Sequence, residues 1–186
     1  MKWSVDDYHR LIEAGILADR SVELLAGEIV EMSPESPIHY NTAKRSVKYL
    51  ETLLIDRADV RFNGPITLTD SEPEPDVAIV RLPIDAYYDR HPGVDDIFWI
   101  IEVAKTSLKK DLDLKASIYA TAGIQEYWVL NLVERQITVF RNPQNGKYTF
   151  EQAFSEGTIA PLAFPDLLVS IAQLLNASVA SQFPEG

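Results

Sequence analysis

The sequence predicts a mixed α/β fold of the α+β kind, in which helices flank one central mixed sheet. Three observations carry this. Helix-like and strand-like stretches alternate along the chain in the order helix, strands, helix, strands, helix, strands. The segment Ile97–Ala104 is apolar on both faces, which suits an interior strand and not a surface one. The chain has 186 residues of which 46% are apolar, which suits one compact domain over 1–186, or one domain with a small extension.

Each element has a local reason. Ser4 with Asp7 three residues on resembles a capping box, and Val5, Tyr8, Leu11 and Ile12 follow at helical spacing to about Gly15. Val22–Met32 reads as two strands joined by a tight turn at Gly27. After Pro34 and Pro37 a second helix fits His39 to about Arg57, with Ala43, Val47, Leu50 and Leu54 as its buried stripe. Lys44, Arg45 and Lys48 lie off that stripe and form a local basic patch. Short strands are expected at Val60–Phe62, Ile66–Thr69 and Val77–Val80, then a polar, aromatic loop over Pro83–Val94 before the strand Ile97–Ala104. A third helix spans Leu108–Ala122 and stops at Gly123, a residue suited to the left-handed turn after a helix. Strands follow at Glu126–Asn131, Gln136–Arg141 and Lys147–Gln152, the last two joined as a hairpin around Asn142–Gly146, and Leu167–Leu175 closes the chain as a helix.

Composition excludes several classes. There is no cysteine, so neither disulfides nor thiolate zinc sites exist. The formal net charge is −11, which excludes a broadly basic binder that coats phosphates; contact with nucleic acid must be local or metal-mediated. The start of the chain carries no apolar signal stretch, and the longest apolar run, Ile97–Val103, is interrupted by Glu102 and falls far short of the ~20 residues of a membrane helix. A soluble, cytoplasmic protein without a membrane partner is expected.

Three residues break their local patterns. Glu102 sits in an otherwise apolar strand, on the face shared by Phe98, Ile100 and Ala104. Asp76 opens the strand that ends at Val80. If that strand runs antiparallel to Ile97–Ala104, Asp76 lies beside Glu102. Two adjacent carboxylates repel unless something positive lies between them, and a hard divalent cation with oxygen ligands meets that need. Lys115 is the third. At about 100° per residue from Leu108, it falls at about −20°, inside the apolar face formed with Tyr119 and Leu112. Asp111, one turn earlier, is placed to hold its ammonium. Lys105, Lys109 and Lys110 read as solvated or backbone-contacting and make a second basic patch. Two carboxylates and a lysine form a device for phosphodiester hydrolysis, with the cation on the carboxylates and the lysine on water or phosphate. The site is expected to bind one Mg²⁺ or Mn²⁺ through Asp76, Glu102 and the Val103 carbonyl.

These residues resemble a known pattern. Pro75-Asp76 followed by Glu102 resembles the PD-(D/E)xK superfamily, with its restriction-endonuclease-like fold. More narrowly, the chain is similar to the Uma-type family of bacterial endonuclease candidates, once catalogued as a domain of unknown function. The similarity runs through Val22–Pro34, His39, Pro75–Val77, Ile101–Val103, Asp111 with Lys115, the stretch from Tyr119 to Val129, and Phe164–Leu167. It covers about Val5 to Leu175. In the superfamily a lysine stands two residues after the glutamate. Ala104 stands there in this chain, and the resemblance implies that the lysine has moved to Lys115, with Lys105 as the rival. Asn131 departs from the Asp often found after Tyr-Trp, a change expected to affect a turn and not the chemistry. The resemblance also implies an additional acid near the N-terminus, either Glu23 or Glu28, and allows His39 an active-site edge role beside the simpler one of a helix-start hydrogen bond.

Two functions follow as expectations. One is a Mg²⁺-dependent DNA endonuclease. The other is a catalytically inactive nuclease-fold module that binds nucleic acid or protein, for which the charge and the displaced lysine speak. A carboxylate-pair glycosidase is disfavoured, because no sugar cleft is indicated. With no separate target-recognition domain, a homodimer is the expected assembly.

Overall fold

The computed structural model describes residues 2–175. A six-stranded mixed sheet divides the molecule into two apolar layers, in the strand order β3-β4-β5-β6-β7-β8. Its strands are β3 (Asp59–Phe62), β4 (Val77–Val80), β5 (Ile97–Ala104), β6 (Glu126–Asn131), β7 (Gln136–Gln144) and β8 (Lys147–Phe154). All neighbours are antiparallel except β5 and β6, which run parallel. A parallel pair needs a crossover, and the helical segment Leu108–Ala122 supplies it.

The first layer packs one sheet face, through Trp99, Ile101, Val103 and Trp128, against α2 (Pro37–Leu53), whose Ala43, Val47 and Leu50 form the predicted stripe. Ser36 caps α2 and Pro37 occupies its first turn, so the helix starts two residues before His39 and ends at Leu53, short of Arg57. On the opposite face Ile100, Ala104, Tyr127, Val129 and Phe140 meet Ala116, Ile118 and Tyr119 of the crossover helix. Phe98 departs from the expected alternation and packs with the Trp99 layer, close to the register shift at Ile79/Val80. The helix α1 (Val5–Glu13), with its Ser4/Asp7 capping box, lies against the hairpin β1 (Val22–Leu25) and β2 (Glu28–Glu31) through Tyr8, Val22 and Leu24.

Four expectations change. Ile66–Thr69 is not a strand. Ile66 and Leu68 are buried, but their N–H groups donate to Pro73 and Ser71 carbonyls in a wrapped loop, so burial and not a ladder explains their apolar character. Leu167–Leu175 is not one helix: Val169–Ser170 pairs with Thr158–Ile159, and only Ile171–Leu174 is helical, capped by Ser170. The loop over Pro83–Val94 contains the 3₁₀ turn Ile84–Tyr87. The crossover helix is wide between Lys110 and Lys115, where it is a π-helix, and becomes α3 at Ala116–Ala122, ended by Gly123 at φ 90°. Asn131 stabilises a turn, its Oδ1 accepting from the N–H groups of Val133 and Glu134. Among the described residues no helix is long and apolar enough to cross a membrane.

Candidate active site

A cleft of about 560 Å³ opens where β4 begins and β5 ends, between the N-terminus of α2 and the π-segment. The antiparallel register of β4 and β5 ends with Val77 opposite Ile101, so Asp76, the residue before Val77, comes opposite Glu102. Both are nearly buried, at 6% and 3% exposure. In a strand the N–H and carbonyl of one residue point to the same neighbour. β4 has not yet begun opposite Val103, so the Val103 N–H donates to Asp76 Oδ2 at 2.6 Å and its carbonyl lies on the same side. His39 Nε2 stands 2.8 Å from Asp76 Oδ1. His39 therefore does more than start a helix: its N–H donates to the Ser36 cap, and its ring holds Asp76 from the other side of the sheet.

Glu102 points to the crossover-helix face. There Lys115 Nζ donates to Glu102 Oε1 at 2.8 Å, and the Tyr119 hydroxyl donates to the same oxygen at 2.9 Å. Lys115 is thus the positive group on Glu102, while Asp76 has His39 and the Val103 N–H. Its ammonium also lies 3.5 Å from Glu23 Oε2, and the second oxygen of Glu23 accepts from Lys110 at 2.6 Å. Glu102 and Asp111, both buried in the crossover-helix layer, are held there by different partners. Asp111 does not pair with Lys115 as expected; its carboxylate accepts from Ser107 Oγ at 2.6 Å. Lys110 is not simply solvated, and Glu23 is 1% exposed in the cleft wall. Glu28 is exposed on β2 and does not line the cleft, so of the two N-terminal acids only Glu23 does. Alternation does not separate them, because Leu25 pairs with Glu28 and both acids lie on one face of the hairpin; Glu28 stands beside the turn, whereas Glu23 stands two residues further in, where Lys110 and Lys115 reach it. Lys105 is exposed and lines the mouth of the cleft.

The electrostatics follow from burial against pairing. Burial pushes the Glu102 carboxyl well above the usual range; Lys115 opposes this, while Asp76 and Asp111 add to it. Burial likewise raises Asp111, with Lys115 and the Ser107 hydrogen bond opposing. For Lys115 burial works downward, but Glu102, Glu23 and Asp111 outweigh it and keep it charged. Burial also lowers His39, and the Asp76 hydrogen bond and charge overcome that and raise it.

One donor group was not visible in the sequence. Among the described residues, Glu35, His39 and Asp76 offer ligand atoms that all lie within 4.8 Å of one another. Asn63 Nδ2 donates to Glu35 Oε1 at 2.9 Å and fixes its direction. Glu35 sits between Pro34 and the Ser36 cap, where sequence gives only a turn. The donor chemistry fits a hard divalent cation. Glu102 Oε2 takes no hydrogen bond among the described residues, and the Asp76 and Glu35 carboxylates and the Val103 carbonyl supply further oxygens.

The family model Uma2, described as a putative restriction endonuclease, matches residues 5–173. The chain belongs to this family. Among solved structures, a crystal structure described as a putative nuclease of DUF820 from Anabaena variabilis ATCC 29413 is similar. It superimposes with a TM-score of 0.72 over 93% of this chain and 97% of that one, at 18% identity. At that identity the match establishes the shared mixed α/β fold and no residue roles. No curated protein matches the chain. In this Uma2 chain the matched span contains every residue of the cleft wall named above.

Proposed function

We propose that the protein is a metal-dependent DNA endonuclease of the PD-(D/E)xK type. The observation that carries this reading is the Lys115 ammonium at 2.8 Å from Glu102 inside a cleft that also holds Asp76. Asp76, Glu102 and the Val103 carbonyl would hold Mg²⁺ or Mn²⁺, and Glu35 with His39 provides a second set of donors around Asp76. Once bound, such a cation polarises a phosphodiester and lowers the pKa of an attached water. The protein's own residues do the rest. Lys115 donates to the attacking water or to a phosphate oxygen as charge builds there. With Glu102 engaged by a cation, Glu23 would still hold the Lys115 ammonium in the cleft. His39 and the Val103 N–H fix the Asp76 carboxylate.

The reading extends to assembly. One cleft cuts one strand at a time, and the loop after β4 exposes Leu82, Ile84 and Tyr88, so the active unit is proposed as a homodimer. Sedimentation giving a monomer at micromolar concentration removes that part.

Cleavage is tested by nicking of supercoiled plasmid in Mg²⁺ or Mn²⁺. Asp76→Ala, Glu102→Ala and Lys115→Ala are each expected to lower the single-turnover rate by at least ~10²-fold. Lys115→Ala keeps divalent-ion binding by calorimetry, whereas the carboxylate variants lose it. If Lys105→Ala abolishes the rate and Lys115→Ala keeps it, the lysine assignment moves to Lys105. If the wild type neither binds a divalent ion nor nicks, the inactive binding module takes the place of the enzyme.

A further inference from the structure

The cleft is acidic: Glu23, Glu35, Glu74, Asp76, Glu102 and Asp111 face two paired lysines and Lys105. A polyanion needs attraction from outside it. The unpaired cations nearest the cleft are arranged to give that. Pro37–Leu50 contains no acidic residue, in a chain with 28 of them. On α2 the exposed Tyr40, Lys44 and Lys48 recur every four residues and so form one line, with exposed Arg45 beside it. Among the described residues none of these three cations makes an ion pair.

The line starts at the cleft. Tyr40 follows His39, which holds Asp76. Lys44 points back along the helix, with Nζ 3.4 Å from the Tyr40 hydroxyl and 5.4 Å from its ring centre. Tyr40 is braced edge-on by Phe62 at 5.5 Å and is 40% exposed, a rigid aromatic beside a cation. Lys48 lies about 12 Å along the axis from Tyr40, at about 1.5 Å per residue. Across the cleft, exposed Lys105 of the wall and exposed Lys109, next to the lining residue Lys110, also make no ion pair among the described residues.

We propose that a nucleic-acid strand crosses the cleft from the Tyr40–Lys44–Lys48 line of α2, with Arg45, to Lys105 and Lys109, with phosphates on the cations and a base against Tyr40. The proposal deepens the endonuclease reading and rests on it for the place of the scissile bond. The two flanks give attraction to phosphate, and the acidic centre is left for the cation. An exposed ring braced at one edge suits stacking by an unpaired base.

The test is fluorescence anisotropy of the full-length protein with a labelled 30-nucleotide single strand and the matching duplex, in EDTA, across a salt series. Lys44→Glu/Arg45→Glu/Lys48→Glu is expected to weaken binding about tenfold or more and to make the log–log salt slope shallower by about 2 to 3. Lys105→Glu/Lys109→Glu is expected to make it shallower by about 1 to 2. Tyr40→Ala is expected to weaken the single strand more than the duplex. Arg20→Glu/Lys147→Glu, two exposed sites outside the line and the cleft wall, is expected to stay within twofold. Circular dichroism melting confirms that each variant is folded. Binding by the triple variant within twofold of wild type with an unchanged slope overturns the track, as does a wild type that binds neither oligonucleotide. Metal-dependent nicking that persists with no slope change overturns the track alone. A slope change in a protein that never nicks upholds the track and removes the enzyme.

Discussion

At the level of single residues, the site is held by a charge pair that is costly to break. Lys115 is 5% exposed and Glu102 3%, and in this burial the partner left behind by a deletion has no water to turn to. Lys115→Met is therefore expected to destabilise the metal-free protein by about 3 kcal/mol in urea unfolding at neutral pH with EDTA present. Glu102→Gln/Lys115→Met together are expected to recover most of that, because both charges are then gone. Asp76→Ala strands the buried Val103 N–H and costs about 1–3 kcal/mol, so the carboxylate is structural as well as a candidate ligand. A cost near zero for Asp76→Ala would mean that the N–H finds another acceptor.

Among the elements, the hairpin and the terminal segments each depend on one feature. The β1–β2 turn places Ala26 at φ 48° and Gly27 at φ 79°, the two positive values that a two-residue hairpin turn needs. A Cβ on Gly27 would meet Lys2 Cβ at 2.9 Å and the Trp3 carbonyl at 3.2 Å, so Gly27→Ala must push away the segment before α1. It is expected to lower stability by about 1–2 kcal/mol in thermal unfolding, and to loosen Glu23 on the same hairpin. The C-terminal segment is tied to the turn after α2 by Arg57, which donates twice to Asp166 at 2.8 and 2.9 Å. The hydrogen bond from Arg57 holds Asp166 below the usual carboxylate range, and the one from Arg90 does the same for Asp96. A depressed folded pKa gives stability that is present above the unfolded value and lost as pH falls through the folded one. Asp96→Asn/Asp166→Asn should therefore lose less melting temperature than wild type between pH 4 and 2, roughly the window below the unfolded carboxylate pKa.

Over the whole molecule, the net charge of −11 sets the response to ions. Self-repulsion is screened by salt, so the melting temperature is expected to rise with NaCl at low ionic strength. Mg²⁺ at equal ionic strength is expected to raise it further, by about 2.7 kcal/mol of stability at a concentration 100 times its dissociation constant. That added increment is expected to vanish in Asp76→Asn and Glu102→Gln. If the variants keep it, the cation binds elsewhere on the acidic surface.

The sequence by itself determined the residues that break pattern and the elements that carry them. A carboxylate inside an apolar strand and a lysine inside an apolar helical stripe stand out because burial has a price for charge anywhere. The capping box, the α2 stripe and the Gly123 stop were equally legible, since capping, amphipathic periodicity and left-handed turns are set within a few residues. Tertiary structure alone decided the partners. Glu23 was chosen over Glu28 by its place away from the hairpin turn, within reach of Lys110 and Lys115; Lys115 went to Glu102 and not to its neighbour Asp111, and Glu35 entered the cleft through Asn63. It also made Ile66–Thr69 a loop and Val169–Ser170 a strand. Those outcomes depend on which surfaces meet across the sheet, and contacts between residues far apart in the chain leave no local period in the sequence to show them.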